Sequence, residues 1–445
     1  MFDLINSLTN KKDNTRIVWL CNIGAEKYWN KLNMGISDKQ EDIVVSHIEE
    51  MNLLLCRSQD VIILRESPDE EFLRTLIKLG FQIPRILIPN CSDEAKSISE
   101  LILNDENIIN ILKDISNKCK ETYFVPYAVT GFEEKIADLC NLKLIGAPSN
   151  INAKINNKIF NKAIAKQLKF NVCTGKICES IDEIREEYYN LTEKNKNFNK
   201  VIIKEPCGAS GKGLYIIDDK NKLEGILRLI SRLARNIENP QWIVEGWYNK
   251  KTDVNYQIYI SEDGNVNVFS IKEQILKDTI YIGSRIPCNV SSEKIEEYKK
   301  CGIDIGKYLF NIGFTGVAGV DSFITEEDGI IPIIEINGRF TLSTYLSFLE
   351  EKFSENIITT RYFKVTTNNQ YDYTKLNELL YQNDLLYDDN NKEGVIIYTS
   401  KTLPIHFIEK QNHYLGRIFA LILGKDDTAL DKYIDRLENL IKDLD

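Results

Sequence analysis

Histidine is nearly absent from this 445-residue chain: His47, His406 and His413 are the only three. A catalytic triad or metal centre built on imidazole is therefore not expected. The ten cysteines run from Cys21 to Cys301 without a C-x-x-C pair, and Cys173 and Cys178 stand apart from any partner motif. That spacing excludes a zinc site and points to an intracellular, cytoplasmic protein with free thiols. No window approaches the ~18 apolar residues of a membrane span, and the opening stretch MFDLINSLTNKKDNTR has no apolar signal core. Positive charge is also short. Lys and Arg number 56 against 66 Asp and Glu, a formal charge of −10, so a nucleic-acid or anionic-membrane surface would have the wrong sign. Two nucleotide signatures are missing as well. The turn after the first apolar run, Asn22-Ile23-Gly24-Ala25-Glu26, lacks G-x-G-x-x-G, so no dinucleotide site is expected there. No G-x-x-x-x-G-K-[ST] loop occurs either.

What is present has the balance of a globular protein, 43% hydrophobic and 27% charged, and the length favours two or three domains. In residues 1–150, short apolar runs at 17–21, 61–64, 86–88 and 123–125 alternate with stretches at helical spacing such as 70–79. This alternation predicts a parallel sheet with crossover helices. Pro148, Ser149 and Asn150 then punctuate the chain before a helix expected over 153–169. An Asn- and Lys-rich linker near 192–200 leads to a strand–loop–strand unit, VIIKEPCGASGKGLYII, at 201–217. A helix over 223–235 and a strand over 242–245 follow. Two hairpins are expected, 254–261 with 266–273 and 318–325 with 330–337, separated by Asp263-Gly264 and Asp328-Gly329 turns. Beyond 360 the pattern weakens, with strand-like 394–399 and 417–423 before an amphipathic helix over 428–444.

Two clusters carry chemistry. Lys204 ends a strand and is followed by a loop with Gly208, Ser210, Gly211, Lys212 and Gly213. A fixed positive charge beside glycine N–H groups suits phosphate oxygens; the competing reading is a flexible hairpin with a solvated lysine. The second cluster is Asp321 on one strand and Glu335 with Asn337 on the next. Residues i and i+2 of a strand share a face, and two carboxylates with an amide suit Mg²⁺, with Mn²⁺ as a substitute. An acid set between Ile333-Ile334 and Ile336 is poorly explained as an exposed strand end. Arg339 and Arg285 offer guanidiniums for phosphate or carboxylate, although a surface ion pair explains Arg285 nearly as well.

The order of helix lysine, strand lysine with glycine loop, acidic hinge strand, then D…E-x-N-x-R resembles the ATP-grasp superfamily of carboxylate ligases over residues 150–350. The resemblance implies an α/β and α+β protein. Residues 1–150 would be a Rossmann-like parallel-sheet domain. Residues 151–360 would be an ATP-grasp fold whose two α+β subdomains, 151–247 and 248–360, clasp ATP. Residues 361–445 would form a small C-terminal extension. It further implies Lys158 and Lys204 at the phosphates, Gly208–Gly213 over them, Glu245, Gly246 and Trp247 at the adenine hinge, and Asp253 at the ribose. Asp321, Glu335 and Asn337 would hold Mg²⁺, and Arg339 would orient phosphate or substrate carboxylate, with Arg285 and Lys204 beside it in catalysis. Cys207 in the phosphate loop and the aromatic pair Trp247-Tyr248 depart from the family pattern. Glu273-Gln274 and Gly283-Ser284-Arg285-Ile286-Pro287 are similar to a subgroup with a pre-ATP-grasp domain. That subgroup includes pheganomycin-type peptide ligases and butirosin-type ligases that load glutamate onto a carrier protein.

The activity so implied is ATP-dependent activation of a carboxylate, an amino acid or peptide, as an acylphosphate that an amine captures. A carrier-protein thiol as acceptor, a phosphotransferase and a non-catalytic nucleotide-binding regulator are the alternatives. The expected partners are small-molecule carboxylates and amines and, on the thiol reading, a carrier protein; oligomeric state stays open.

Overall fold

The computed structural model describes residues 2–444 apart from 11, 13, 30–38, 195–197 and 209–212. Among the described residues the strands form three sheets. The first is parallel and five-stranded, in the order β3-β2-β1-β4-β5, from β1 (Arg16–Leu20), β2 (Val61–Ile63), β3 (Arg85–Leu87), β4 (Thr122–Pro126) and β5 (Lys143–Leu144). The apolar runs of the first 150 residues are these strands, and the 70–79 stretch is the helix Glu70–Lys78, capped by Asp69. Alternation along β1 sends Ile17 and Trp19 to one core and Val18 and Leu20 to another. Both faces are therefore covered, as a parallel sheet requires.

The second sheet, β6-β9-β7-β8, is antiparallel and contains β6 (Gly175–Cys178), β7 (Val201–Lys204), β8 (Leu214–Ile217) and β9 (Trp242–Gly246). Helices Ile181–Tyr189 and Lys220–Leu233 bury their apolar stripes on it. The third sheet is antiparallel, with nine strands: β10 (Lys250–Ile260), β11 (Val266–Lys277), β12 (Ile280–Ile286), β13 (Gly316–Thr325), β14 (Ile330–Asn337), β15 (Ile357–Thr367), β16 (Gly394–Ile397), β17 (His406–Ile408) and β18 (His413–Gly424). Its order is β14-β13-β10-β11-β12-β15-β18-β16, with β17 on β18. Both expected hairpins are present, as β10/β11 and β13/β14.

One feature differs from the sequence reading. The helix expected over 153–169 is two helices, Ser149–Ile155 and Lys158–Gln167. Asn157 breaks it, because its side chain accepts hydrogen bonds from the Ile159 and Phe160 N–H groups and so starts a new helix. The C-terminal extension expected over 361–445 is joined to the third sheet. Position 360 falls inside β15, and β15, β16 and β18 continue the third sheet. One apolar core runs from Trp19, Ile62 and Phe72 of the first domain into Tyr345, Leu380, Phe419 and Leu421. Among the described residues no helix is long and apolar enough to cross a membrane.

A buried acid fastens the first domain to the C-terminal strands. Glu50 accepts hydrogen bonds from the Ser400 N–H, from the Ser400 hydroxyl (2.7 Å) and from the Lys401 N–H (2.9 Å). Ser400 in turn accepts from the Asp69 N–H at 3.0 Å. Glu50→Ala would leave buried donors unmatched. It should lower unfolding free energy by about 2–4 kcal/mol, read as a reduced urea midpoint at unchanged slope. A midpoint equal to that of the parent protein would show that the latch carries no stability.

Candidate active site

The site lies where the second sheet faces β14. On β7, every residue from Val201 to Lys204 is buried. Register pairs Ile202 with Glu245 and Lys204 with Ile243, which places the Lys204 and Glu245 side chains on one face. Lys204 Nζ lies 2.7 Å from Glu245 Oε2, and Lys162 Nζ bonds to the other oxygen of the same carboxylate. Burial pulls the Lys204 ammonium down most strongly, but the Glu245 charge and hydrogen bond together with the charges of Cys173 and Glu335 reverse it, and the net shift is upward. Burial likewise pushes the Glu245 carboxyl up, and Lys204 and Lys162 together reverse the sign. Lys158, at the start of its helix, reaches Glu335 Oε1 at 2.7 Å and the Gly208 carbonyl at 2.9 Å. A cleft runs between these lysines and the apolar walls of Val172, Cys173, Ile243, Ile333 and Ile334.

The acidic residues converge on the neighbouring sheet. Asp321 stands directly across from Glu335, and Gly319 across from Asn337. Asn337 and Glu335 therefore share the face of Asp321, and the Asn337 amide donates to Asp321 Oδ2 at 3.1 Å. The other Asp321 oxygen accepts from Asn255 (2.8 Å) and Gln274 (2.9 Å). Burial, and then the facing Glu335 charge, push the Asp321 carboxyl up to about 6, against the pull of those amides and Arg339. Among the described residues, Lys158 bonds to Glu335 and the charge of Arg339 acts on Asp321. The all-oxygen donor set of Asp321, Glu335 and Asn337 fits Mg²⁺ shared with nucleotide phosphates. Among the described residues there is no group of three or more His, Cys, Asp or Glu suited to a metal.

Arg339 joins the site from the turn after β14. Its Nη1 donates to the Tyr127 hydroxyl at 2.7 Å, and its guanidinium lies 5.0 Å from the centre of that ring. Tyr127 comes from the first domain, whose Tyr127 carbonyl also accepts from the Phe340 N–H. Arg285 is not brought to this cluster. It pairs in register with Glu273, whereas Gln274 next door reaches Asp321, so strand alternation turns Arg285 to the opposite face. There it bonds Asp427 at 2.6 Å. Asp253 is on the site face but is paired with Lys250 at 2.7 Å. Lys250 also lies 5.5 Å from the centre of the Trp247 ring. The Gly246 N–H is bonded to the Thr174 carbonyl and the Trp247 N–H to that of Lys200. Gly213 has φ +76°, and a Cβ there would lie 2.8 Å from the Glu205 carboxyl, so glycine is required at the foot of the loop. Ser210 and Gly211 lie outside the described residues.

Lys162, Tyr127 and Asn255 escaped the sequence reading, and Gln274 entered it only through a subgroup resemblance, without a place in the site. Lys162 was legible, since it stands four residues after Lys158 and shares its helical face. Asp253, Asn255 and Gln257 alternate with apolar Val254, Tyr256 and Ile258, a period-2 signal for a polar strand face. Tyr127 carried no local signal.

Comparison with known proteins bears on this geometry. Residues 163–346 match the family described as the ATP-grasp domain, and residues 48–142 the Pre ATP-grasp domain. A curated relative, the butirosin acyl-carrier protein–L-glutamate ligase of Niallia circulans, is 25% identical over 380 residues, covering 83% of this chain and 82% of its own. The biotin carboxylase of Campylobacter jejuni, solved as a complex with β,γ-ATP, superposes with a TM-score of 0.57 at 12% identity, over 97% of this chain and 91% of that one. N5-carboxyaminoimidazole synthetase from Staphylococcus aureus, solved with ADP, gives 0.53 at 12% identity, over 96% of this chain and 99% of that one. At such identities the two structures speak for the fold alone.

One lysine behind the site supplies a pH-dependent test. Lys272 is fully buried on β11, and its Nζ donates to the Ser343 carbonyl (2.7 Å), the Ser343 hydroxyl (3.1 Å) and the Ser347 hydroxyl (2.6 Å). Burial pulls its pKa from 10.5 down to about 7. Between those values the unfolded chain binds this proton and the folded protein does not, so stability rises with pH across the window and is lost as pH falls towards 7. In Lys272→Met, urea unfolding at a series of pH values from 7 to 10.5 should show a flatter rise than the parent. An unchanged slope would mean that Lys272 stays protonated in the fold.

Proposed function

We propose that this chain, which carries a match to the ATP-grasp domain behind a match to the Pre ATP-grasp domain, is an ATP-grasp ligase that activates a carboxylate as an acylphosphate at the cleft between Lys204 and Glu335. The observation that carries this reading is the meeting of two unlike sets of charges. Lys158, Lys162 and Lys204 line one side, and Asp321, Glu335 and Asn337 lie on the other, joined by the Lys158–Glu335 contact at 2.7 Å. Nucleotide phosphates need both: lysines for their oxygens and carboxylates for the accompanying Mg²⁺. Asp321, Glu335 and Asn337 would hold that ion, which would offset charge on the transferring phosphoryl group.

The chain's own groups position and neutralise. Lys158 and Lys204 would bind phosphate oxygens. Arg339, held by Tyr127, would present its guanidinium to the substrate carboxylate. A carboxylate is a poor acyl donor because its leaving group would be oxide. Bond formation between a carboxylate oxygen and the γ-phosphorus breaks the bond to ADP and converts that oxide into phosphate. A nucleophile then attacks the acyl carbon, loses its proton and releases phosphate. For the acceptor we favour a carrier-protein thiol over the free amine expected from sequence, because the Niallia relative is named for an acyl-carrier protein and L-glutamate. Glutamate is the first carboxylate to try.

Incubation with ATP, Mg²⁺, hydroxylamine and a panel of amino acids should give a hydroxamate and an equal amount of ADP. Formation of AMP would overturn the acylphosphate, and a stable phosphorylated hydroxyl would make the protein a phosphotransferase. With a thiol-bearing carrier protein, the acyl adduct should be cleaved by neutral hydroxylamine; an adduct that resists it is an amide and restores the amine acceptor. Lys204→Ala should lower the rate of ADP formation by about 10²–10³-fold while thermal unfolding shows a folded protein. Parent-like turnover would remove Lys204 from the site.

A further inference from the structure

Among the described lysines lining the cleft, Lys158, Lys162 and Lys204, Lys162 is the one to which neither the motif nor the proposed mechanism gives a contact with substrate. It is 6% exposed. Its Nζ donates to the Cys173 carbonyl at 2.8 Å and to Glu245 Oε1, while Glu245 Oε2 meets Lys204. A lysine buried this deeply is costly, and an apolar side chain of similar length would fill the space without that cost. Its charge has a consequence that packing alone does not. Lys204 and Glu245 by themselves form a neutral pair, whereas Glu245 shared between two lysines leaves the trio with one net positive charge. The carbonyl contact also ties the helix Lys158–Gln167 to Cys173, which forms part of the cleft wall.

We propose that Lys162 is a positioning residue for nucleotide binding: by holding one oxygen of Glu245 it leaves the charge of Lys204 available to the phosphates and fixes the Cys173 side of the cleft. This rests on the reading of the cleft as the ATP site.

Calorimetric titration of the full chain with a non-hydrolysable ATP analogue and Mg²⁺ tests it without a carboxylate substrate. Lys162→Met should weaken binding at least tenfold, because Glu245 then neutralises Lys204 alone. Lys162→Met combined with Glu245→Gln should recover a substantial part of that loss, since removing the carboxylate frees Lys204 again. A purely structural Lys162 gives additive losses in the double variant, and that result would overturn the proposal, as would parent-like binding by Lys162→Met. Should Lys162→Met melt well below the parent, Lys162→Gln, which keeps a donor toward Cys173, enters the same comparison. Failure of the parent protein to bind the analogue would instead sink the reading of the cleft and leave Lys162 with a structural role only.

Discussion

The contact between Lys158 and Glu335 is the one on which the geometry of the site depends. It spans the cleft, from the first turn of the helix Lys158–Gln167 to β14, and Lys158 also holds the Gly208 carbonyl at the entrance to the glycine loop. Both charges are largely withdrawn from water, at 5% and 20% side-chain exposure. Separated, each would carry an uncompensated desolvation cost of several kcal/mol. Glu335 is also what stands across from Asp321, whose carboxyl is already pushed up to about 6. Lys158 thus offsets Glu335, while Arg339 acts on Asp321. The placement of Lys158 follows from Asn156, which closes one helix, and Asn157, which caps the next so that Lys158 begins a new axis.

Much of this was readable in the sequence because it rests on local rules. The apolar runs of the first domain, the Asp-Gly turns of the two hairpins and the i, i+2 spacing of Glu335 and Asn337 each depend on a few neighbouring residues. What was hidden depends on contacts distant in the chain. Tyr127 and Arg339 are 212 residues apart, and Asp321 meets Gln274 and Asn255 only through the order of strands β13, β10 and β11. The Arg285 reading failed to join the site for a related reason. A motif of adjacent residues, Ser284-Arg285-Ile286, says nothing about which side of a strand each residue takes until the register with β11 is known. A single helix over 153–169 and two helices meeting at Asn156 and Asn157 share much of their apolar pattern; the capping hydrogen bonds of Asn157 set the break.

The C-terminal segment shows how packing gives meaning to a weakly patterned stretch. Strands β15, β16 and β18 lie on the edge of the third sheet farthest from β14, yet their buried side chains share a core with Trp19 and Phe72. The first domain is therefore seated against the same sheet that carries Asp321. Its position brings Tyr127 to Arg339, with the Phe340 N–H bonded to the Tyr127 carbonyl as a second restraint. One bond holds the guanidinium and the other holds the backbone that carries it, so Tyr127 restrains Arg339 from both ends.

Charge is the remaining constraint. The whole chain is acidic, at −10, and its long-range field repels a nucleotide. Within the cleft, Lys158, Lys162, Lys204 and Arg339 face Asp321, Glu335 and Glu245. These described residues leave a slight cationic excess, much smaller than the charge of a triphosphate. Stronger attraction would come from more lysines, but burying them without partners is costly. Pairing the lysines with Glu245 and Glu335 avoids that cost, and on the proposed reading the acids would also supply oxygen ligands for a divalent ion that would bring the missing positive charge with the nucleotide. An acidic protein can in this way hold a polyphosphate tightly while its free cleft stays close to electrically balanced.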